Sequence, residues 1–173
     1  MKLRGYVALL VVCMLNASAA LAASRGAESE LKFDHHYVDR NLPGDSYGQT
    51  CLVDLDKDGD LDLFVGGRHV PGNYSVIPNS FLLQNNSTKG SVSFTNVTNL
   101  VNLELNNIGM VTSALWTDFN NDTWPDLIVV GEWMPVRIFQ NENGKLKERK
   151  DLIDTDKSDG WWCTIFPADV DGD

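Results

Sequence analysis

The chain has 173 residues with a formal net charge of −10, and its 24 Asp and Glu outnumber its 14 Lys and Arg. The length predicts a single domain, and 43% hydrophobic residues are enough to build a core, which argues against wholesale disorder. The acidic excess argues against nucleic acid and anionic membrane surfaces as partners, because both are bound through Lys and Arg.

Residues 1–22 have the features of a secretory signal peptide. Lys2 and Arg4 precede an apolar run at 6–15, and Ala20-Leu21-Ala22 predicts cleavage after Ala22. The run is too short to span a bilayer, which needs about 20 residues, although an uncleaved anchor is the alternative. We expect a mature chain without a membrane span that is secreted, periplasmic or on the cell surface.

Residues 23–44 are predicted to form a lead-in segment before the first repeat. This segment contains Asp34, His35, His36 and Asp39, which could bind a transition metal. Adjacent residues on a strand point to opposite faces, so the two histidines cannot easily share a metal. We therefore expect them to have a structural or solvated role.

Two series of short apolar and β-branched segments follow, each with turn residues between its members. The first series comprises residues 49–53, 61–65, 80–84 and 92–97. The second comprises residues 110–117, 127–130, 136–140 and 145–148. We predict about four antiparallel strands in each. Helical periodicity is not sustained, so almost no helix is expected, and residues 100–105 are the best candidate.

An Asp-rich turn follows the first strand of each series. The first turn has the pattern D-x-D-x-D-G-x-x-D, with side-chain ligands predicted at Asp54, Asp56, Asp58 and Asp62 and a backbone carbonyl ligand at Asp60. Carboxylates that converge in a turn repel one another unless a cation neutralises them. Several oxygen ligands suit Ca²⁺, and Gly59 permits a sharp turn at positive φ. We predict a structural calcium site.

Two further stretches repeat the pattern. The second offers Asp118, Asn120, Asp122 and Asp126, with Trp124 as the carbonyl ligand. Thr123 replaces the turn glycine there, so we expect backbone strain and a weaker site. The third stretch offers Asp169, Asp171 and Asp173.

Two other interpretations of these stretches were weighed. An EF-hand needs Glu at the twelfth position and flanking helices, whereas Val65 and Val129 occupy that position within predicted strands. The other is an acidic turn held by Asx hydrogen bonds without metal. Three stretches in register favour calcium over that alternative.

The leading residues Asp54, Asp118 and Asp169 are 64 and 51 residues apart, the size of a four-stranded unit with loops. One such sheet cannot bury both of its faces alone. Radial packing of four to eight sheets in a β-propeller buries them. We therefore predict that residues 45–173 are all-β and form two blades and the start of a third. The repeats should begin near residues 48, 110 and 161. Because the chain ends inside a motif, we expect a truncated propeller with further blades.

Three segments carry a family resemblance: residues 54–67 (DLDKDGDLDLFVGG), residues 118–131 (DFNNDTWPDLIVVG) and residues 169–173. They resemble the FG-GAP or VCBS repeat family, which includes the integrin α-chain propeller. The resemblance implies a calcium-stabilised β-propeller, commonly seven-bladed, on an exported protein. The wider sequence is similar to exported bacterial members, which carry no enzymatic activity that could be transferred.

Cysteine and tryptophan residues give two further expectations. Cys51 and Cys163 occupy similar places in two repeats, and we expect buried free thiols rather than a disulfide. Most of the five Trp residues are expected to pack between blades. Trp161 and Trp162 should face opposite sides of a strand, so that one could be exposed, and exposed indoles could stack on sugars.

We predict a non-catalytic, exported scaffold for adhesion or binding that presents loops to a protein or glycan. The sequence lacks a nucleophile elbow, a P-loop and a dinucleotide fingerprint. The alternative is the propeller part of a polysaccharide lyase or another carbohydrate-active enzyme whose active site lies in missing blades.

Overall fold

The computed structural model describes residues 46–168, which form two antiparallel sheets. The first sheet contains, in order, β1 (Ser46–Val53), β2 (Asp62–His69), β3 (Phe81–Asn85) and β4 (Phe94–Asn96). The second contains β5 (Met110–Thr117), β6 (Asp126–Met134), β7 (Arg137–Asn141) and β8 (Leu146–Glu148), and β9 (Gly160–Trp161) pairs with β6. Each sheet is a four-stranded meander, as the sequence predicts. The predictions for residues 1–22 and 23–44 lie outside the described residues.

The second strand of each sheet is longer than predicted. The predicted segments stop at residues 65 and 130, each just before a glycine, but β2 continues to His69 and β6 to Met134. Gly131 instead marks a close approach of backbones, since a Cβ there would collide with the Met110 carbonyl oxygen. Gly67 lies in the same way against the Asn79 carbonyl. A glycine inside a strand pattern therefore indicated tight packing rather than a turn.

Among residues 46–168, helix is confined to single turns, as expected for this part of the chain. The candidate at 100–105 is divided into α1 (Thr98–Val101) and a 3-10 turn (Leu103–Leu105). Asn102 separates them because its backbone is extended and its side chain accepts a hydrogen bond from the Glu104 N–H at 2.7 Å. A further turn, α2, spans Thr155–Ser158.

The main core lies between the two sheets. Phe64 and Leu82 of the first sheet and Leu127 and Phe139 of the second are fully buried in one cluster. A smaller cluster that includes Leu63 occupies the other face of the first sheet. Both faces of β2 are thus buried, as expected for a sheet that packs within a stack of similar sheets.

One hydrogen bond between blades occurs twice. The Gln49 side chain accepts the Ala114 N–H at 3.1 Å, and the Ser113 hydroxyl accepts the Ile165 N–H at 3.2 Å. Gln49 and Ser113 are 64 residues apart, at equivalent positions of the two repeats. The segment at Ile165 therefore contacts the second blade through the same repeat position by which β5 contacts the first. The third repeat itself stays a prediction.

The thiol and tryptophan expectations are partly wrong. Cys51 and Cys163 are both free thiols, but Cys163 is exposed rather than buried, whereas Cys51 is half-buried. Burial raises the pKa of the Cys51 thiol to about 12. Trp133, Trp161 and Trp162 are exposed, so most tryptophans do not pack between these two blades. Each exposed Trp lies at the end of β6 or in the short β9 segment, where local sequence does not reveal what packs alongside.

Candidate metal centre

The first Asp-rich turn connects β1 to β2 and reverses the chain with two residues in the left-handed region. Gly59 has φ 95°, as predicted, and Lys57 has φ 63°. A Cβ at Gly59 would meet nothing within 4 Å, so glycine is favoured there by its backbone conformation and not by crowding. The turn is thus a strand-loop-strand hairpin without flanking helices, which rules out an EF-hand.

The carboxylates of this turn converge. Ligand atoms of Asp54, Asp56 and Asp58 all lie within 4.8 Å of one another. Asp54 Oδ1, Asp56 Oδ1 and Asp60 Oδ1 are buried and have no hydrogen-bond partner among the described residues. Buried charged oxygens without a partner are costly. The donor set is made only of oxygen and fits a hard cation such as Ca²⁺.

Asp60 adds a side-chain oxygen to this group. Its Oδ1 is one of the three unpaired oxygens, and the role of its backbone carbonyl as a ligand stays a prediction. Burial raises the pKa of Asp60, and the nearby carboxylates of Asp58, Asp56 and Asp54 raise it further. The Asp60 carboxylate is therefore part of the same repulsive group.

Asp62, the predicted closing ligand, is fully buried at the start of β2. Its Oδ2 accepts the Leu55 N–H at 3.1 Å and its Oδ1 accepts the Asn85 N–H at 2.8 Å. Burial raises the pKa of Asp62, and these two bonds oppose that effect. Asp62 thus ties the start of the turn to the end of β3, a role that the sequence pattern did not suggest.

Asp126 holds the second turn in the same way. Its Oδ2 accepts the Phe119 N–H at 3.3 Å and its Oδ1 accepts the Asn141 N–H at 2.7 Å. Burial also raises its pKa. The equivalence of Asp62 and Asp126 shows that the last Asp of the pattern has a structural role in both repeats.

The remaining oxygens of the second turn are satisfied within the turn itself. Asp118 accepts the N–H groups of Asp122 at 3.0 Å and Thr123 at 2.8 Å through different oxygens. Asp122 Oδ1 accepts the Trp124 N–H at 2.8 Å, which is the main reason that the pKa of Asp122 is lowered. Asn120 donates to Asp122 Oδ2 at 2.9 Å and accepts the Asp122 N–H at 2.9 Å.

A lysine from the first turn reaches the second. Lys57 Nζ donates to Thr123 Oγ1 at 2.7 Å and lies 4.2 Å from the centre of the Trp124 ring. The same lysine helps to lower the pKa of Asp122. The predicted role of Trp124 is that of a backbone carbonyl ligand. Its ring also takes part in a cation–π contact between the two turns.

The third predicted turn, with Asp169, Asp171 and Asp173, lies outside the described residues. The three stretches thus have different outcomes. The first brings its carboxylates together with unpaired oxygens, and the second satisfies its own acceptors.

Comparison with known proteins places these turns in a family. The model of the FG-GAP-like repeat matches residues 54–129 and again residues 118–173, which together cover more than half of the chain. No curated protein and no solved structure matches the chain. No helix among residues 46–168 is long and apolar enough to cross a membrane. The chain therefore belongs to the FG-GAP-like repeat family, and its two sheets are blades of a β-propeller.

Proposed function

We propose that this chain is part of an exported, non-catalytic β-propeller that is stabilised by calcium and binds a protein or glycan partner. Calcium has a structural role in this proposal. Asp54, Asp56, Asp58 and Asp60 hold the ion in the first turn, and Asp62 positions the turn.

The proposal is carried by the buried, unpaired oxygens of Asp54, Asp56 and Asp60. A divalent cation gives each of these oxygens a partner and removes their mutual repulsion. A donor set made only of oxygen favours Ca²⁺ over Zn²⁺, which prefers nitrogen and sulfur ligands.

The position of the turn explains how the ion stabilises the fold. The turn joins the first two strands of the blade, and β1 packs against β5 of the next blade. A cation that binds the folded turn but not the unfolded chain stabilises the blade by mass action. Calcium sites with dissociation constants of about 10⁻⁴–10⁻³ M occur in extracellular modules, in keeping with the signal-like residues 1–22.

Thermal unfolding of the full chain tests the proposal. We expect EDTA to lower Tm and added Ca²⁺ to restore it, with Mg²⁺ less effective because it demands stricter octahedral geometry. Asp58→Ala should reduce the response to Ca²⁺. A Tm that EDTA leaves unchanged would overturn the calcium proposal.

The enzyme alternative is separated by a different measurement. Incubation with polysaccharides, followed by assays for new reducing ends and for unsaturated products, is expected to detect no turnover. Product formation would replace the binding proposal with the carbohydrate-active enzyme alternative.

A further inference from the structure

A cavity of 470 Å³ lies between the two blades, at the ends of the strands that point away from the Asp-rich turns. Its walls include Tyr74 and Ile77 from the loop after β2, Met110 at the start of β5, and Glu132 and Trp133 near the end of β6. Arg68 is six positions after Asp62 on β2, so this end of the blade lies about 20 Å from the turn. The cavity is thus separate from the proposed metal site.

A charged network forms the inner side of the cavity. Glu132 is only 3% exposed, and its two carboxylate oxygens accept hydrogen bonds from Arg68 Nη2 at 2.6 Å and the Tyr74 hydroxyl at 2.5 Å. The Tyr74 hydrogen bond and Arg68 lower the pKa of Glu132. The buried carboxylate is therefore charged and locally compensated. Arg68 and Glu132 are 64 residues apart, at equivalent positions of the two repeats.

An aromatic residue in a rare conformation forms the outer side. Trp133 has φ 56°, which is unusual for a bulky side chain, and the pairing of β6 with β9 is irregular between Glu132 and Met134. Such a bulge redirects a side chain. Trp133 is 69% exposed and meets Trp161 edge-to-face at 5.1 Å. Backbone outliers of this kind cluster at ligand sites.

The geometry points to a binding site for a neutral oligosaccharide, a proposal that rests on the binding function proposed above. The exposed indole of Trp133 offers an apolar surface to the C–H face of a sugar ring. Tyr74, Arg68 and Glu132 place donors and acceptors beside it for sugar hydroxyls. The volume is within the range of small-molecule sites.

Charge decides the class of sugar. Arg68 is already paired with Glu132, so the site lacks an uncompensated cation that would select a uronate or sulfate. The chain as a whole carries a net charge of −10, which repels anionic glycans. The paired carboxylate likewise gives no reason to favour a cationic ligand.

Acid–base chemistry is a poor fit to the same residues. The hydrogen bond with Glu132 raises the pKa of Tyr74, while the pKa of Glu132 is lowered. A general acid or base works best when its pKa lies near the operating pH. Both pKa shifts move away from neutrality, which disfavours Tyr74 and Glu132 as a general acid or base.

Calorimetric titration of the full chain in Ca²⁺ tests this site. The probes are cellohexaose, mannohexaose and chitohexaose, with hexagalacturonate as the anionic comparison. We expect at least one neutral hexaose to bind, and Trp133→Ala to weaken that binding about tenfold, which corresponds to about 1.4 kcal/mol. Tyr74→Phe keeps the ring on an exposed loop and should weaken binding less. Phe166→Ala, which removes an aromatic that is 82% exposed elsewhere, is the matched control.

Three outcomes would overturn the inference: no neutral hexaose binds, hexagalacturonate binds more tightly than every neutral hexaose, or Trp133→Ala and Tyr74→Phe bind as tightly as the wild type. Circular dichroism of each variant guards against misfolding as the cause of weaker binding. A chain whose Tm depends on EDTA but which binds no sugar overturns this inference alone. A Tm independent of EDTA overturns the calcium proposal instead.

Discussion

The two Asp-rich turns follow the same backbone path but satisfy their oxygens in different ways. Lys57 and Asn121 have φ of 63° and 60°, and Gly59 and Thr123, two residues later, have φ of 95° and 74°. Equivalent positions of the two repeats therefore adopt the left-handed conformation, whether or not glycine is present. The backbone conformation of the turn is therefore common to both repeats and does not depend on which residue occupies these positions.

The difference lies in the side chains. Asp56 in the first turn corresponds to Asn120 in the second. An amide can donate as well as accept, and Asn120 donates to Asp122, whereas Asp56 can only accept: its Oδ2 accepts from Gln84 Nε2 at 2.6 Å, and its Oδ1 has no hydrogen-bond partner and is repelled by the neighbouring carboxylates. One change from carboxylate to amide thus converts a repulsive contact into a hydrogen bond. The comparison teaches that two turns of the same shape differ in their acceptors: the first keeps buried oxygens without a partner, and the second pairs its oxygens with its own N–H groups.

The largest expected effect concerns the last Asp of the pattern, whose structural role the two turns share. Asp62→Ala and Asp126→Ala each leave two N–H groups without an acceptor, all of them buried except the partly buried N–H of Phe119. Each variant should lower the free energy of unfolding by about 2–4 kcal/mol. Urea denaturation measures this, with the exposed Asp159→Ala as the control. If one variant were far milder than the other, the two residues would not have the same structural role.

An exchange of side chains tests the difference itself. If the first turn binds calcium as proposed, the wild type should gain about 2.7 kcal/mol at Ca²⁺ one hundred times the dissociation constant, and Asp56→Asn should remove most of that gain. Asn120→Asp should make the second turn respond to Ca²⁺, because it restores the carboxylate and removes a donor. Urea denaturation with and without EDTA measures both. Unaltered calcium dependence in both variants would refute the explanation based on this position.

The backbone requirement predicts effects of opposite sign. Gly59→Ala should destabilise the first turn by about 1 kcal/mol, since a Cβ fits in space but not at this φ. Thr123→Gly should relieve the strain of a non-glycine residue at positive φ and so stabilise the second turn. The gain should be less than about 1 kcal/mol, because the substitution also removes the acceptor of Lys57 Nζ. Thermal unfolding in excess Ca²⁺ measures both variants. A destabilised Thr123→Gly would show that the Lys57 contact outweighs the strain.

The smallest effect concerns the contact between the turns. Lys57→Met removes the hydrogen bond to Thr123 and the cation–π contact with Trp124, at a cost of about 0.5 kcal/mol because the site is exposed. Lys89→Met, in the exposed turn after β3, is the control. The loss should shrink at high salt. A loss of several kcal/mol would mean that Lys57 organises both turns.

Local sequence determined the elements of this protein. Short apolar and β-branched segments predict the strands of both blades, and the recurrence of an Asp-rich turn at Asp54 and Asp118 predicts the repeat, because each segment and each turn is defined by a few neighbouring residues. Gly59 predicts the left-handed turn for the same reason. The match to the FG-GAP-like repeat confirms the family that these motifs resemble.

Only the tertiary structure decided which groups meet across the repeat. The pair formed by Arg68 and Glu132, the cavity beside Trp133 and the buried acceptors of Asp62 depend on how the blades and strands pack. The Asp-rich turns look alike as sequence, and three-dimensional hydrogen bonding reveals that one has unpaired oxygens and the other does not. Hydrogen bonds and burial are set by contacts between residues distant in the chain, and no local pattern records them.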